Sequence, residues 1–203
     1  VDGGKHVISG KDASTGSLVF MEKCSDMECN VDCVAAKIIL HGLKNCKVMV
    51  RRDVLTSCLE MIHCENVVLE VYRPICTLSI DQSDSCVLRF ATNGLMGSVY
   101  SCGVTNLSIE PRFNAREKLV LPVGMGSNCD EDGVIKQYIT RMYGGSSLLT
   151  EEVIREGVGY ATTLREKTAA DEKEEKLLAA LEKVIIGDIA NKSINPPQDP
   201  SKQ

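Results

Sequence analysis

The sequence predicts a mainly β protein, a parallel β-helix in which short strands stack as rungs. Apolar segments of five or six residues, rich in Val, Ile, Leu and Cys, recur along the first half of the chain. They form two interleaved series, and each series repeats at a step of about twenty residues. The segments are too short for helices, and one rung cannot bury its own apolar side, so a continuous core requires stacking.

The two series give the rungs in order. One series contains residues 17–21, 37–41, 57–62, 76–81 and 97–101, and the other contains residues 26–31, 46–50, 66–71, 86–90 and 105–110. Residues 5–9 are expected to form a first edge strand, and residues 119–121 to close the stack. Alternation along the strands points the central apolar residues inward, among them Val48, Leu59, Met61, Leu69, Leu78, Ile80, Leu88 and Leu107.

The β-helix domain is predicted to cover residues 1–132, and a β-hairpin to cover residues 133–150. The hairpin consists of two strand-like segments, 137–143 and 146–150, on either side of the turn residues Gly144 and Gly145. It follows a stack that should already be closed. We therefore expect it to pair with the same hairpin of a second chain.

The composition changes after the hairpin, where Glu, Lys and Ala dominate. Residues 151–190 are predicted to form a helical extension. Its first helix is expected over 151–157 with Thr150 as the N-cap, and its second over 168–186, ended by Gly187. Residues 191–203, with three prolines, are predicted to be a disordered tail.

The composition of the chain excludes some classes of partner and favours one cellular compartment. The 203 residues carry a net charge of −5 and the pI is about 5.3, which argues against nucleic acid and anionic membranes as partners. No apolar run approaches the roughly 18 residues of a membrane helix, and the first residues do not resemble a signal peptide. The ten cysteines, among them Cys46, Cys76 and Cys86, are interpreted as reduced core residues of a cytoplasmic protein.

Little in the sequence suggests catalysis. The cysteines and histidines lack the close spacing of a zinc site, and no phosphate-binding loop or nucleophile motif is present, so we expect no enzyme activity, no metal and no cofactor. Asp81 and Asp84 resemble the paired carboxylates of polysaccharide-cleaving β-helices, but turn residues that bond their own backbone have the same pattern. The flat face of a sheet suits a protein partner better than a small ligand.

Three segments resemble the C-terminal domain of the cyclase-associated proteins: Phe20–Cys24, Leu43–Val48 and Cys76–Cys86. Residues 77–84 are the most specific part of this resemblance. The similarity covers roughly residues 5–150. It implies a right-handed parallel β-helix that binds monomeric actin, prefers the ADP form and promotes nucleotide exchange and filament turnover. It also implies a cytoplasmic, cytoskeleton-associated protein.

The resemblance carries over to particular residues. It implies an actin-binding surface made by Ser79, Asp81, Gln82, Ser83 and Asp84. Geometry alone adds Glu60 and Arg89, which are expected on neighbouring outward rows. In the family a C-terminal hairpin is exchanged between two chains, which implies a homodimer held by Gln137, Tyr138, Ile139, Tyr143, Leu148 and Leu149.

A second segment is similar to the Wiskott–Aldrich-homology type of actin-binding segment, a short amphipathic helix followed by an extended basic strip. The similarity covers residues 148–157 and 164–167. It implies a second actin contact made by Val153, Ile154, Leu164, Arg165 and Lys167. An ordinary helix docked on the domain is the alternative interpretation of these residues.

The tubulin-cofactor branch of the same fold is the alternative for the whole chain. Its members are GTPase-activating proteins for tubulin or small G proteins and supply an arginine from a strand motif with two adjacent glutamines. This sequence has no such pair, and Arg73 is the arginine at a plausible corner.

Overall fold

The computed structural model describes residues 2–112, 119–120, 133, 135–144, 147–156 and 160–194, and it divides the chain into two compact units, residues 1–153 and 154–203. Two sheets dominate the first unit. Sheet A consists of β1 (Asp2–Ser9), β3 (Ser25–Asp32), β5 (Lys47–Val50), β7 (Val68–Val71), β9 (Val87–Phe90), β11 (Ser108–Glu110) and β12 (Leu119–Val120). Sheet B contains, in the first unit, β2 (Ser17–Glu22), β4 (Ala35–His41), β6 (Cys58–Ile62), β8 (Ile75–Asp81), β10 (Met96–Cys102), β13 (Gln137–Tyr143) and the part of β14 (Ser147–Glu156) up to Val153.

The chain alternates between the sheets, so each rung has one strand in sheet B and the next in sheet A. Within each sheet the rungs pair in parallel from β1 to β11. This confirms the predicted β-solenoid, its five full rungs and the first edge strand. The predicted closing segment is β12, which pairs antiparallel with β11.

The core lies between the sheets and is one continuous cluster of buried side chains. In sheet A, Val48, Leu69 and Leu88 lie in one row of the register, and all three are completely buried. Leu59 and Leu78 form the equivalent row of sheet B. The predicted inward positions are therefore confirmed, because alternation fixes which side of each strand faces the partner sheet.

The corners that follow the sheet B strands have left-handed backbone. Asn45, Asn66 and Asn106 have φ angles of 51° to 52°, which asparagine tolerates better than most residues. Asn66 Nδ2 donates to Asn45 Oδ1 at 2.9 Å, and Asn45 Nδ2 donates to Asp26 Oδ1 at 3.0 Å. A ladder of side-chain hydrogen bonds thus links successive corners.

None of the nine described cysteines forms a disulfide. Six of them are buried: Cys24, Cys29, Cys33, Cys46, Cys64 and Cys86. Burial raises the pKa of Cys29 to about 11 and that of Cys86 to about 12, so these thiols stay protonated. The core position predicted for Cys76 is wrong, because its side chain is exposed on β8.

The predicted hairpin is present, but its pairing differs from the expectation. β14 pairs antiparallel with β13, and β13 pairs antiparallel with β10 of the same chain. Ile139 lies opposite Tyr100, and Tyr138 lies opposite Ser101. A strand from a second chain is therefore not required to satisfy β13.

The helix predicted over residues 151–157 is wrong, because Glu151–Glu156 extends β14. Glu151 and Glu152 lie opposite Ile139 and Tyr138, so pairing to β13 overrides a helix-favouring composition. In the second unit, β15 (Tyr160–Thr163) precedes α1 (Leu164–Ile194).

The observed helix α1 is longer than predicted, and Gly187 does not end it. A capping box fixes its start. Thr163 Oγ1 accepts from the Glu166 amide at 3.3 Å, and Glu166 Oε2 accepts from the Thr163 amide at 3.2 Å. The disordered tail predicted from 191 is wrong up to Ile194, and its remainder lies outside the described residues.

Candidate functional site

The outward side of β8 brings together part of the predicted actin-binding set. Ser79 lies between Glu60 of β6 and Tyr100 of β10 in the register of sheet B. Its neighbours Leu78 and Ile80 are buried, which holds Ser79 on the outer face. The stacked strands therefore present these side chains on a rigid surface.

Asp81 ends β8 on the same outer face, in register with Ile62 and Cys102. Partial burial raises the pKa of Asp81 above the usual value, and the nearby Glu60 carboxylate raises it further. No cation pairs with Asp81 among the residues that the structure describes. This carboxyl group would gain from a hydrogen-bond donor or a positive charge on a partner.

The turn after β8 places Gln82 and Ser83 differently. Gln82 has a φ angle of 45° and its amide donates to the carbonyl of Cys102 at 2.8 Å. Ser83 is only 3% exposed; its Oγ accepts from the Cys64 amide at 3.0 Å and donates to the carbonyl of Asp81 at 2.8 Å. Ser83 therefore holds the turn from inside, and we leave it out of the surface that we propose.

Asp84 is bound by its neighbours. Its carboxylate accepts hydrogen bonds from the Thr105 hydroxyl, from Ser85 Oγ at 2.8 Å and from Asn106 Nδ2 at 3.0 Å. The hydrogen bond from Thr105, the largest of these effects, and those from Ser85 and Asn106 lower the pKa of Asp84. Asp84 thus has a structural role in linking two corners, beside any role toward a partner.

A shallow groove of about 420 Å³ runs along these corners. Its lining is polar and mixed in charge, with Lys44, His63, Glu65, Gln82 and Asp84 among its residues. Lys44 Nζ and Glu65 Oε2 form an exposed ion pair at 2.9 Å. An open groove of this kind suits a polar segment of a macromolecule better than an enclosed small ligand.

The prediction that Glu60 and Arg89 occupy neighbouring rows is wrong. Glu60 is on β6 of sheet B, where its Oε1 binds Lys37 Nζ at 2.6 Å. Arg89 is on β9 of sheet A and binds Glu110 at 3.0 Å and Glu70 at 3.6 Å. Because the two sheets share one core, their outer faces point in opposite directions, so one flat partner surface cannot cover both side chains.

Sequence reasoning missed two apolar side chains on the outer face of sheet B. Leu18 and Phe20 on β2 are 54% and 51% exposed, and Phe20 stacks on His41 with ring centroids 6.5 Å apart. The signal was present in the sequence, because residues 18–21 are all apolar, and a strand that is apolar on both sides leaves one apolar side exposed at a surface.

The second predicted actin contact does not have the expected structure. Val153 and Ile154 lie in strand β14 and not on an amphipathic helix. Leu164, Arg165 and Lys167 lie in the first turn of α1 and not in an extended strip, and Leu164 is 69% exposed. The resemblance to a Wiskott–Aldrich-homology segment therefore lacks both of its structural features.

Three further features of the described residues concern metal binding, membrane insertion and GTPase activation. These residues contain no cluster of three or more His, Cys, Asp or Glu side chains that could hold a metal ion. Within the same part of the chain, no helix is both long enough and apolar enough to cross a membrane. Arg73, the arginine considered for a GTPase-activating role, is 3.9 Å from Asp53 at the corner between β7 and β8.

Comparison with known proteins identifies the family. A family model for the C-terminal region of adenylate cyclase associated (CAP) proteins matches residues 3–140. A crystal structure of cyclase-associated protein from Cryptosporidium parvum is similar with a TM-score of 0.44 and 13% identity, over 72% of this chain and 86% of that chain. No curated protein sequence matches the chain. Because the family model covers more than half of the 203 residues, the chain belongs to the CAP C-terminal domain family, whose members bind actin.

Proposed function

We propose that this chain binds monomeric actin in its ADP form and promotes nucleotide exchange and filament turnover, as a cytoplasmic regulator that performs no chemistry of its own. Membership of the CAP C-terminal family is the observation that carries this proposal. The rigid, solvent-facing side of sheet B supports it, because a flat surface of this kind suits a protein partner.

The actin-binding surface that we propose is the outer face of sheet B with its adjoining turn. It includes Glu60, Ser79, Asp81, Gln82 and Asp84, of which the first three lie on adjacent strands. Asp81 contributes a carboxylate that is partly desolvated before binding. A positively charged or hydrogen-bonding group of actin would stabilise its ionised form.

The mechanism requires only differential binding. A regulator that contacts open-cleft ADP-actin more strongly than closed ADP-actin shifts the actin population toward release. A tenfold increase in the release rate corresponds to about 1.4 kcal/mol of such preference expressed in the transition state for opening. A few polar contacts across sheet B would supply an effect of this size.

The release of a fluorescent nucleotide from ADP-actin tests the proposal. We expect the chain to accelerate release and the double variant Glu60→Gln/Asp81→Asn to do so at least about tenfold less efficiently. These substitutions keep the shape of both side chains. Asp84→Ala is a poorer choice, because it also removes the hydrogen bonds from Thr105 and Asn106.

The matched control is Lys5→Ala/Glu28→Gln, which removes the exposed 3.6 Å ion pair from the outer face of sheet A. This control should accelerate release as the wild type does. If both double variants behave like the wild type, the surface is wrong. If the wild type leaves release unchanged but stimulates GTP hydrolysis by tubulin, the protein acts as a tubulin-cofactor-type activator, and Arg73 becomes the residue to replace.

We also propose that the hairpin is exchanged between two chains. Tyr138, Ile139 and Thr140 on β13 are buried against β10 of their own chain. An exchanged hairpin would make the same pairing to the partner's β10, so each chain would keep its native contacts. Gln137, Tyr143, Leu148 and Leu149 complete the proposed dimer set.

Sedimentation of a chain that ends at Asp132 tests the exchange. The full chain should sediment as a dimer and the shortened chain as a monomer. A shortened chain that still dimerises would refute the role of the hairpin. Far-UV circular dichroism of the shortened chain checks that the rungs remain folded.

A further inference from the structure

Two cysteines, Cys58 and Cys76, lie at the start of neighbouring strands on the outer face of sheet B. Cys76 is exposed at the start of β8, and Cys58 is half-buried at the start of β6. Both thiols are free. The core cysteines nearest to them along the chain, Cys64 and Cys86, are shielded, and burial raises the pKa of both.

The strand register makes Cys58 and Cys76 neighbours. Cys58 lies directly opposite Thr77, the residue that follows Cys76. The amides of Cys76 and Thr77 donate to the same acceptor, the carbonyl of Ser57, at 2.9 and 3.1 Å. Ser57 directly precedes Cys58, so one carbonyl oxygen ties the backbones of the two cysteine positions together.

The same pair of hydrogen bonds marks a β-bulge that turns Cys76 outward. Ile75 and Leu78 are buried, whereas Cys76 and Thr77 between them are both accessible. A regular strand would bury every second residue, so two successive outward residues require a bulge. Cys76 therefore faces the same side of the sheet as Cys58, whose neighbour Leu59 points inward.

The separation suits a disulfide. Adjacent strands lie about 4.8 Å apart and successive residues about 3.3 Å apart, so residues one step off register have α-carbons roughly 6 Å apart. Disulfides join α-carbons that are about 4.4 to 6.8 Å apart. Cys102, the other outward cysteine of sheet B, lies on β10 near its far end and is well beyond this range from Cys58.

We propose that Cys58 and Cys76 are a reversible redox pair. They form a disulfide with each other when the protein is oxidised by a small-molecule disulfide such as oxidised glutathione. The Cys76 thiolate attacks one sulfur of the oxidant and releases one reduced thiol. The Cys58 thiolate then attacks the Cys76 sulfur of the mixed disulfide and releases the second. The protein loses two protons and two electrons, and the oxidant is reduced to two thiols.

This proposal does not rest on actin binding. The disulfide would fix β6 to β8 at the end of the face that carries Glu60 and Ser79. Cys58 is two residues before Glu60, and Cys76 is three residues before Ser79. Oxidation is therefore expected at the margin of that surface and not at its centre.

The test uses the full, folded chain in glutathione buffers of increasing oxidised content. Free thiols are blocked with one alkylating reagent, and reduced disulfides are then labelled with a second, heavier one. Proteolysis at glutamate, aspartate and arginine separates Cys58 from Cys64 at Glu60, and Cys76 from Cys86 at Asp81 and Asp84. We expect Cys58 and Cys76 to carry the heavier label together, and mass spectrometry of a matched sample that was not reduced to show two peptides linked through these cysteines.

Single variants sharpen the result. In Cys58→Ser, Cys76 can form only the mixed disulfide, which should need at least about tenfold more oxidised glutathione than the pair needs in the wild type. Cys102→Ser and Cys129→Ser should leave the linkage unchanged. A mixed adduct on Cys76 without linkage to Cys58, a linkage to any other cysteine, or the absence of reaction would each overturn the proposal.

Discussion

The two outer faces of the solenoid follow the same rung repeat but differ in how their side chains are satisfied. On the outer face of sheet A, an ion-pair chain crosses four neighbouring strands, β5, β7, β9 and β11. Lys47 binds Glu70 at 3.0 Å, and Arg89 binds Glu70 at 3.6 Å and Glu110 at 3.0 Å. The Glu70 and Glu110 side chains are only 10% and 5% exposed. This face satisfies its own charges.

The outer face of sheet B leaves more groups available. Lys37 and Glu60 form an ion pair, while Asp81 faces no cation among the described residues. Leu18 and Phe20 are more than half exposed. The rung repeat therefore constrains only the inward residues. The outward residues of the two sheets can therefore differ, one set serving stability and the other remaining open to a partner.

Removal of a cation should affect the two faces very differently. Arg89→Ala leaves the nearly buried Glu110 carboxylate without its 3.0 Å partner, and we expect it to lower the free energy of unfolding by about 2 to 4 kcal/mol. Lys37→Ala breaks a pair whose side chains are about one-third exposed, and its cost should be below about 1 kcal/mol. Urea unfolding followed by circular dichroism measures both.

Arg89→Met is the matched control for packing, because it keeps an aliphatic stem and removes the charge. It should cost nearly as much as Arg89→Ala. Equal costs for Arg89→Ala and Lys37→Ala would contradict the distinction between a self-satisfied face and an open one.

Apolar side chains on the two faces provide a second, smaller contrast. Met49 on sheet A is 8% exposed, with its Sδ 3.5 Å from Arg51 Nη2, and Met49→Ala should cost about 1 to 2 kcal/mol. Phe20 on sheet B has less buried area to lose despite its size, so Phe20→Ala should cost less than Met49→Ala. Thermal unfolding of the two variants in the same buffer checks the order, and a larger cost for Phe20→Ala would show that sheet B's face is packed.

The interior of the fold could be predicted from the sequence, because it depends on a period of two within strands and on a repeat of about twenty residues between them. Leu69, Leu78 and Leu88 are buried as that rule requires. The rule does not say which outward residues share a face. Alternation alone therefore predicts neighbouring rows for Glu60 and Arg89, whereas they lie on opposite sides of one core.

The C-terminal elements were harder to predict for a different reason. Glu151 and Glu152 favour helix locally, yet they pair with β13 residues more than ten positions earlier in the chain. Gly187 is a weak helix former and predicts a helix end, yet α1 continues to Ile194. In the candidate site, the outward positions of Ser79 and Asp81 follow from the predicted inward positions of Leu78 and Ile80. The burial of Ser83 depends on a turn conformation that spacing does not reveal.

The smallest effect that we expect is a difference in pKa between Asp81 and Asp84, two carboxyl groups at one end of the outer face of sheet B. Burial, with a further contribution from Glu60, raises the pKa of Asp81 above 3.8, whereas hydrogen bonds from Thr105 and other neighbours lower the pKa of Asp84 below 3.8. Carboxyl-carbon NMR titration should place them in that order. In Glu60→Gln, the pKa of Asp81 should fall but stay above 3.8, because burial is the larger cause.

The two shifts have opposite consequences for stability. The contribution of Asp84 to stability is present above pH 3.8 and is lost as the pH falls through its lowered folded pKa. The folded state binds the Asp81 proton more tightly than the unfolded state does. The contribution of Asp81 to stability is therefore fully present below pH 3.8 and is lost as the pH rises through the raised folded pKa. The side chain of Asp81→Asn does not titrate, so the free energy of unfolding of this variant should fall less than that of the wild type as the pH rises above 3.8. An Asp81 that titrates with Asp84 would mean that this end of sheet B is as well satisfied as the outer face of sheet A.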